Sequence, residues 1–365
     1  MDGAGGTSRR EALLLGALGV GALAGLSAAP WSTLHPGALT RPGPLPKGSR
    51  PAFTATALTD PDLVVSHPVY NNRPYRPGTG EYPLNTTPGR WWLIGSSTAQ
   101  FASLHVAALA QRLGAKVHLD AKAGETDAQI SAAMGLAPAR LGFPAGVVPP
   151  GGRVWGLAAP LSTRASRSYT GSVEGTSVTG TLSWDRKFGV PRFERSDEGP
   201  TESVGPEARF FPDTSDEHRA DLALFLGGGK NSATIGGVSA AQIVAGWQAQ
   251  HSWLVPRHPR FLRQGFFNNV GVSPGAASRA TVDAVNAWGR ATLGRSFLDI
   301  AAWLAAPAIW DILGIKPSSA DLTAQASNNL APSLADRGGA HLSDAVAQAW
   351  VQEVVGPRIL ANGWA

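Results

Sequence analysis

Four residues, Ser97, Gly124, Asn231 and His341, stand in an order and in surroundings that suit one chemistry, acyl transfer from an ester. Ser97 belongs to Gly95-Ser96-Ser97-Thr98, directly after the apolar run Trp91-Trp92-Leu93-Ile94. A buried strand ending in a glycine turn presents a hydroxyl beside the N–H groups of the helix that follows. That hydroxyl becomes a nucleophile only with a base to take its proton and donors to hold the oxyanion. The same hydroxyl residues also suit the N-cap of a helix beginning near Gln100. Gly124, in Ala121-Lys122-Ala123-Gly124-Glu125-Thr126, has no side chain to keep an oxyanion from its N–H. It equally suits a left-handed turn before a helix capped by Thr126. Asn231 follows Gly227-Gly228-Gly229-Lys230 and can donate its amide, a fixed dipole worth about 3–4 kcal/mol in acyl transfer; it also tolerates a left-handed turn. Among eight histidines, His341 is set apart by the polar, glycine-rich stretch Leu334–His341 that leads into a last helical segment.

Competing chemistries find less support. Gly271-Val272-Ser273-Pro274-Gly275 matches a nucleophile elbow, but the residue after that serine must give an N–H and Pro274 has none. Gly227–Ser232 fails the spacing of a phosphate loop. No cofactor is required. No metal is expected, because no ligand spacing recurs; Asp213, Asp216, Glu217 and His218 read as a solvated loop. The chain has no cysteine, so thiol catalysis and disulfides are excluded. A net charge of +5 with scattered basic residues gives no footprint for nucleic acid.

These residues need elements to hold them. Apolar residues make up 43% and charged residues 16% of 365, a globular balance for one or two domains. Strand-length apolar runs at Trp91–Ile94, Lys116–Leu119, Leu222–Leu226, Phe261–Phe267 and Phe297–Ile300 alternate with helical stretches. Those stretches are Ala102–Leu113, Asp127–Met134, Ala240–Gln250, Ala277–Thr292 and Ser343–Val355. The alternation predicts an α/β fold: three layers, α/β/α, around a five-stranded parallel sheet of flavodoxin-like type. Residues 89–365 form this domain. A stretch at about 150–215 breaks the rhythm, with Gly171, Gly175 and Gly180 as turn points, and predicts a β-rich insertion of two or three hairpins. Residues 30–88 are a Pro/Gly-rich linker and arm.

Residues 1–29 read as an export signal. Thr7-Ser8-Arg9-Arg10-Glu11 precedes an Ala/Gly/Leu run that ends near Ala29. The paired arginines resemble a twin-arginine signal, with Ala12 and Leu13 where that motif carries phenylalanine. The protein is expected outside the cytoplasm or in the cell envelope. It meets a membrane only through this segment if the segment stays uncleaved, since a run of about 18 residues is at the lower limit of a span.

In order and placement the motifs resemble the SGNH hydrolases, the GDSL esterase/lipase superfamily, across about residues 88–358. The Gly-Asp-Ser block falls on Gly95-Ser96-Ser97, with serine for aspartate. The oxyanion-hole glycine falls on Gly124, the Gly-x-Asn-Asp block on Gly229-Lys230-Asn231-Ser232, and the Asp-x-x-His block on Gly338-Gly339-Ala340-His341. The stretch Arg260–Val355 also looks like SGNH-type esterase domains of actinobacteria and their phages. The resemblance implies Ser97 as nucleophile, His341 as base, and the N–H groups of Ser97 and Gly124 with the amide of Asn231 as oxyanion hole. Gly338 leaves the triad carboxylate missing. Three arrangements are open: Asp336 bends in to the imidazole, a backbone carbonyl orients it in a Ser–His dyad, or the site is catalytically feeble. The expected substrate is a small-molecule or glycan ester, with acetylated carbohydrate suggested by twelve tryptophans, a few of which could stack on sugars from the insertion. The contrasting expectation is an envelope protein that binds glycan in a degenerate esterase pocket.

Overall fold

Two strands apolar on both faces organise the molecule. The computed structural model describes residues 89–155, 168–185, 190–205, 208–234, 237–254 and 259–364. The export signal and the Pro/Gly-rich arm expected from the sequence lie outside the described residues. Strand β1 (Arg90–Gly95) leads into helix α1 (Ser97–Arg112), strand β2 (Lys116–Ala121) and helix α2 (Asp127–Ala133). Then come β3 (Ala139–Leu141), β4 (Val147–Val148), β5 (Arg153–Trp155), β6 (Ser168–Val173), β7 (Thr179–Asp185), β8 (Val190–Arg195), β9 (Glu202–Ser203) and β10 (Ala208–Pro212). Helix α3 (Asp213–His218) precedes β11 (Leu222–Leu226), α4 (Lys230–Thr234), α5 (Ala240–Trp253), β12 (Phe261–Gln264), α6 (Ala277–Thr292) and β13 (Phe297–Leu298). The chain closes with α7 (Ile300–Ala305), α8 (Ile309–Leu313), α9 (Ser319–Ala326), α10 (Asp344–Trp350), a π-helical turn (Val351–Val355) and α11 (Gly356–Ala361).

Five strands form a parallel sheet in the order β13-β12-β11-β1-β2. Counted among themselves these are 2-1-3-4-5, the flavodoxin-like order, as the alternation of runs predicted. Side chains of the central strands alternate between two cores. Trp91, Leu93, Leu222, Leu224 and Leu226 pack with Val106 and Leu109 of α1 and Trp350 of α10. Trp92, Ile94, Ala223 and Phe225 pack with Ile130 of α2, Met134 at its C-cap and Trp253 of α5. Burial on both faces is why these strands read as unbroken apolar runs. Strand order reverses between β1 and β11, so the switch-point crevice opens at their carboxyl ends.

The β-rich stretch is a six-stranded antiparallel sheet, β3-β10-β6-β7-β8-β5, with its own core of Leu141, Tyr169, Val173, Leu182, Phe193 and Phe210. It draws in Ala139–Leu141, upstream of residue 150, because β3 pairs with β10. Three residues are too few to show a period. Helix α1 begins at Ser97, not near Gln100. Asp213–His218 is a helix, not a solvated loop, and His218 is buried because its imidazole meets Asp221. The last helical stretch runs past Val355 to Ala361; its π-turn lies just before Pro357, which has no N–H for the ladder.

Candidate active site

The carboxyl ends of β1 and β11 approach so closely that two glycines are obligatory. A Cβ on Gly95 would overlap the Leu226 carbonyl and the Ala99 methyl. Gly227 has φ +67, and its Cβ would lie 2.5 Å from Cβ of Thr98. Across this seam the Ser96 hydroxyl donates to Gly227 O at 2.9 Å. Ser96 therefore stands at the N-cap position of α1 without capping it by a side-chain hydrogen bond. Ser97 is the first helical residue, 8% exposed, and among the described residues its hydroxyl has no hydrogen-bond partner. The first N–H groups of a helix have no intrahelical acceptor, so the hydroxyl stands beside free donors.

The loop after β2 is held against this seam from two sides. Ala123 N–H donates to Gln100 Oε1 of α1 at 2.6 Å. Asn231 Nδ2 donates to Glu125 O at 2.8 Å, and Asp127 N–H donates to Ser232 Oγ at 2.9 Å. Gly124, between Ala123 and Glu125, has φ +87, and Thr126 caps α2 with a reciprocal capping box. The left-handed turn and the capped helix are thus both present. An Asn amide has two N–H donors, so the bond to Glu125 leaves one for a ligand.

His341 reaches the same edge on a short hairpin. Ala335 and Leu342 form an antiparallel bridge, which sets Asp336 opposite His341. Asp336 N–H donates to His341 O at 2.9 Å, and His341 N–H to Asp336 Oδ1 at 3.3 Å. The side chains then meet, with Asp336 Oδ2 3.2 Å from His341 Nδ1. Burial acts to raise the Asp336 carboxyl, but hydrogen bonds from His341 and the adjacent backbone outweigh it and hold the group below its ordinary range. On its other side the imidazole takes the Phe101 ring edge-on, with centroids 4.9 Å apart. Phe101 lies one turn along α1 from Ser97, about 6 Å of helix rise.

Four ionisable side chains at or beneath this edge carry no role in the motifs read from the sequence. Lys230 is buried, donates from Nζ to Ala340 O at 3.2 Å and lies 3.5 Å from the Phe267 ring centroid. Burial pushes its ammonium down to about 7, against the pull of Asp336. Glu125 is fully buried and accepts from the Tyr169 hydroxyl of the antiparallel sheet at 3.2 Å. Burial pushes its carboxyl up to about 8, opposed by that hydrogen bond and by Lys122. Beneath the loops, burial raises Asp127 and lowers Arg263, and each charge offsets the shift of the other. Gln250 stands between them, donating to Asp127 Oδ1 at 2.9 Å and accepting from Arg263 Nη2 at 2.7 Å. The one available signal for Lys230 was a cation inside an otherwise glycine-rich and apolar strand exit.

Ser97, Gly124 and Asn231 therefore share one edge, and Asp336 pairs with His341 there. The Ser97 hydroxyl and the His341 imidazole are not hydrogen-bonded to each other. Ser273 lies in the loop before α6, where its carbonyl accepts from Ala276 and Arg279. Among the described residues no group of three or more His, Asp or Glu could hold a metal ion. Of the nine tryptophans whose side chains are described, seven are buried, among them Trp91, Trp247 and Trp350; those of Trp155 and Trp184, in the insertion, lie outside the description. No family model matches this chain, and no curated protein and no solved structure matches it.

Proposed function

We propose that the protein is an exported serine ester hydrolase of the SGNH type, working through an acyl-enzyme. One observation carries this most: the hairpin that pairs Asp336 with His341 also sets the imidazole against Phe101, one turn from the Ser97 hydroxyl. In the proposed reaction Ser97 Oγ bonds to the ester carbonyl carbon as His341 takes the hydroxyl proton. Asp336 orients the ring through Nδ1 and stabilises the imidazolium. The N–H groups of Ser97 and Gly124 and the second amide N–H of Asn231 hold the oxyanion. The C–O bond to the alcohol then breaks, and His341 returns the proton to it. Water, deprotonated by the same imidazole, attacks the acyl carbonyl and frees Ser97. Export rests on the charged and apolar segments of residues 1–29.

A second possibility, a glycan-binding envelope protein with an idle esterase pocket, is favoured by the missing Ser97–His341 hydrogen bond. Catalytic hydrogen bonds are often long in unliganded sites, so turnover decides between the two. The test is hydrolysis of p-nitrophenyl acetate, a longer-chain ester and an acetylated sugar by the purified protein beside Ser97→Ala. Turnover lost in the variant supports the hydrolase. Equal rates in both proteins, or none in the parent, reject it.

A further inference from the structure

The hairpin that carries His341 is anchored at its ends by Leu334 and Leu342, buried in the main core, but its tip has few ties to the rest of the site. Its own bonds, Ala335 to Leu342 and Asp336 to His341, give it shape but not location. Location comes from outside. Val270 N–H donates to Gly339 O at 2.9 Å, which seats the turn. Lys230 Nζ donates to Ala340 O at 3.2 Å, the carbonyl of the peptide unit that enters His341. The lysine is the first residue of α4, directly after the Gly227–Gly229 exit of β11, and so it is fixed to the sheet. Its stem is buried and its ammonium lies over the Phe267 ring, so the head group has little freedom. The same charge attracts Asp336, the partner of His341.

We propose that Lys230 is a positioning residue, a tether that fixes the His341–Asp336 hairpin to the sheet edge through the Ala340 carbonyl. The catalytic part of this inference rests on the hydrolase proposed above; the tether itself does not. A buried ammonium is costly to keep. Its cost is offset here by three contacts that converge on the ammonium: the Ala340 carbonyl, the Phe267 ring and the charge of Asp336. Without them the hairpin stays anchored by Leu334, Leu342 and the Val270 bond, but the peptide before His341 loses its fixed place at the sheet edge. A shift of about 1 Å in a catalytic group can cost roughly 100-fold in rate.

The experiment has two arms in the full chain, with Lys230→Met, which keeps an apolar stem of similar length, and Lys230→Ala. The first arm is amide hydrogen exchange of residues 335–342, which needs no substrate. The tether predicts faster exchange there in both variants, and unchanged exchange in the strands. The second arm is ester turnover. The tether predicts kcat down by roughly 100-fold with KM nearly unchanged, and partial recovery of Lys230→Ala by propylammonium but not by propanol. If both variants exchange at the parent rate in 335–342, the tether is wrong, whatever the parent protein hydrolyses. A loss expressed in KM instead of kcat would make Lys230 a substrate-binding group and also overturn it. If the parent hydrolyses nothing but the variants exchange faster, the hydrolase falls and the tether stands. Where Lys230→Met fails to fold, Lys230→Ala with propylammonium supplies the same comparison.

Discussion

Two His–Asp pairs sit at opposite ends of the parallel sheet, and they differ in what surrounds them. At the amino end, His218 Nδ1 lies 2.7 Å from Asp221 Oδ2, with the side chains 10% and 1% exposed. Its ring stacks on His118 at 4.0 Å between centroids, and Arg90 Nη2 also approaches Nδ1 at 3.2 Å. One nitrogen cannot donate to Asp221 and accept from Arg90 together; the shorter distance favours Asp221. At the carboxyl end, His341 and Asp336 are 28% and 36% exposed, at 3.2 Å. By distance alone the buried pair is the better dyad. It is, however, enclosed by structural partners, whereas the open pair stands beside a serine hydroxyl without a partner, free helix N–H groups and a side-chain amide. A His–Asp contact is thus a common packing device. Access and a neighbouring serine hydroxyl separate the candidate site from the strut.

The sharpest way to break this comparison is to remove each histidine. His341→Ala should lower kcat by roughly 10,000-fold or more, with little change in the melting temperature. Next in size is Asp336→Asn, expected to lower kcat by roughly 100- to 10,000-fold with KM nearly constant, because the imidazolium forms only along the reaction path. Gly338→Asp in that variant should restore part of the rate. A Cβ at Gly338 would lie 3.6 Å from Asp336 Oδ1, in ordinary contact, so the new carboxylate has room near the old one. If Asp336→Asn keeps the parent kcat while Ser97→Ala loses it, the site is a dyad. His218→Ala should do the reverse of His341→Ala. It takes the imidazole from the buried Asp221, which keeps Arg90 Nε at 3.2 Å, and should cost about 1–3 kcal/mol of stability with kcat retained. Similar kinetic losses from both histidines would dissolve the distinction.

The smallest expected effect concerns the link between the two sheets. Glu125 is pushed up to about 8 in the folded protein and ionises near 4.5 in the unfolded chain. The folded state then holds the extra proton between these values, so stability falls as pH rises across that window. Asp127, also raised, adds the same sign at the acid end. Lys230 acts oppositely from about pH 6 upward, because a group held at about 7 is half-deprotonated by about pH 7. The imidazole of His251, which burial and Arg263 hold well below its ordinary range, also acts oppositely in this region, so melting curves between about pH 5 and 7 isolate Glu125 only as the difference between the parent and Glu125→Gln. Relative to the parent, Glu125→Gln should gain several degrees of melting temperature as pH rises from about 5 to 7, at roughly 2–4 °C per kcal/mol for a domain this size. An unchanged slope would remove Glu125 from the account.

Much of the fold was legible because the information was local. Trp91–Ile94 and Leu222–Leu226 are buried on both faces, and a two-faced strand writes itself as an apolar run. Ser97 and Asn231 stand out because each follows such a run at the edge where parallel sheets bind ligands, and Gly124 because it follows the mixed edge strand β2 at the same edge. Asp336 was visible only as the nearest acid before His341. Its route to the imidazole depends on the Ala335–Leu342 bridge, a pairing of two residues that no periodicity announces. Lys230 and Glu125 stayed hidden for another reason. A lysine or glutamate in a loop reads as a solvated charge until the fold shows Phe267 under one and Tyr169 over the other. Strand β3 is too short to write a pattern, so its place in the antiparallel sheet shows only in its pairing with β10.

The central claim is that Ser97 is a nucleophile activated by His341. It is tested most directly by exposing the purified protein to a fluorophosphonate and mapping the adduct by tandem mass spectrometry. The hydroxyl oxygen displaces fluoride from phosphorus only when a base takes its proton. The account predicts one adduct, on Ser97, formed in the parent protein and nearly absent in His341→Ala. No adduct, an adduct on Ser96 or Ser273, or equal labelling of Ser97 in His341→Ala would contradict it.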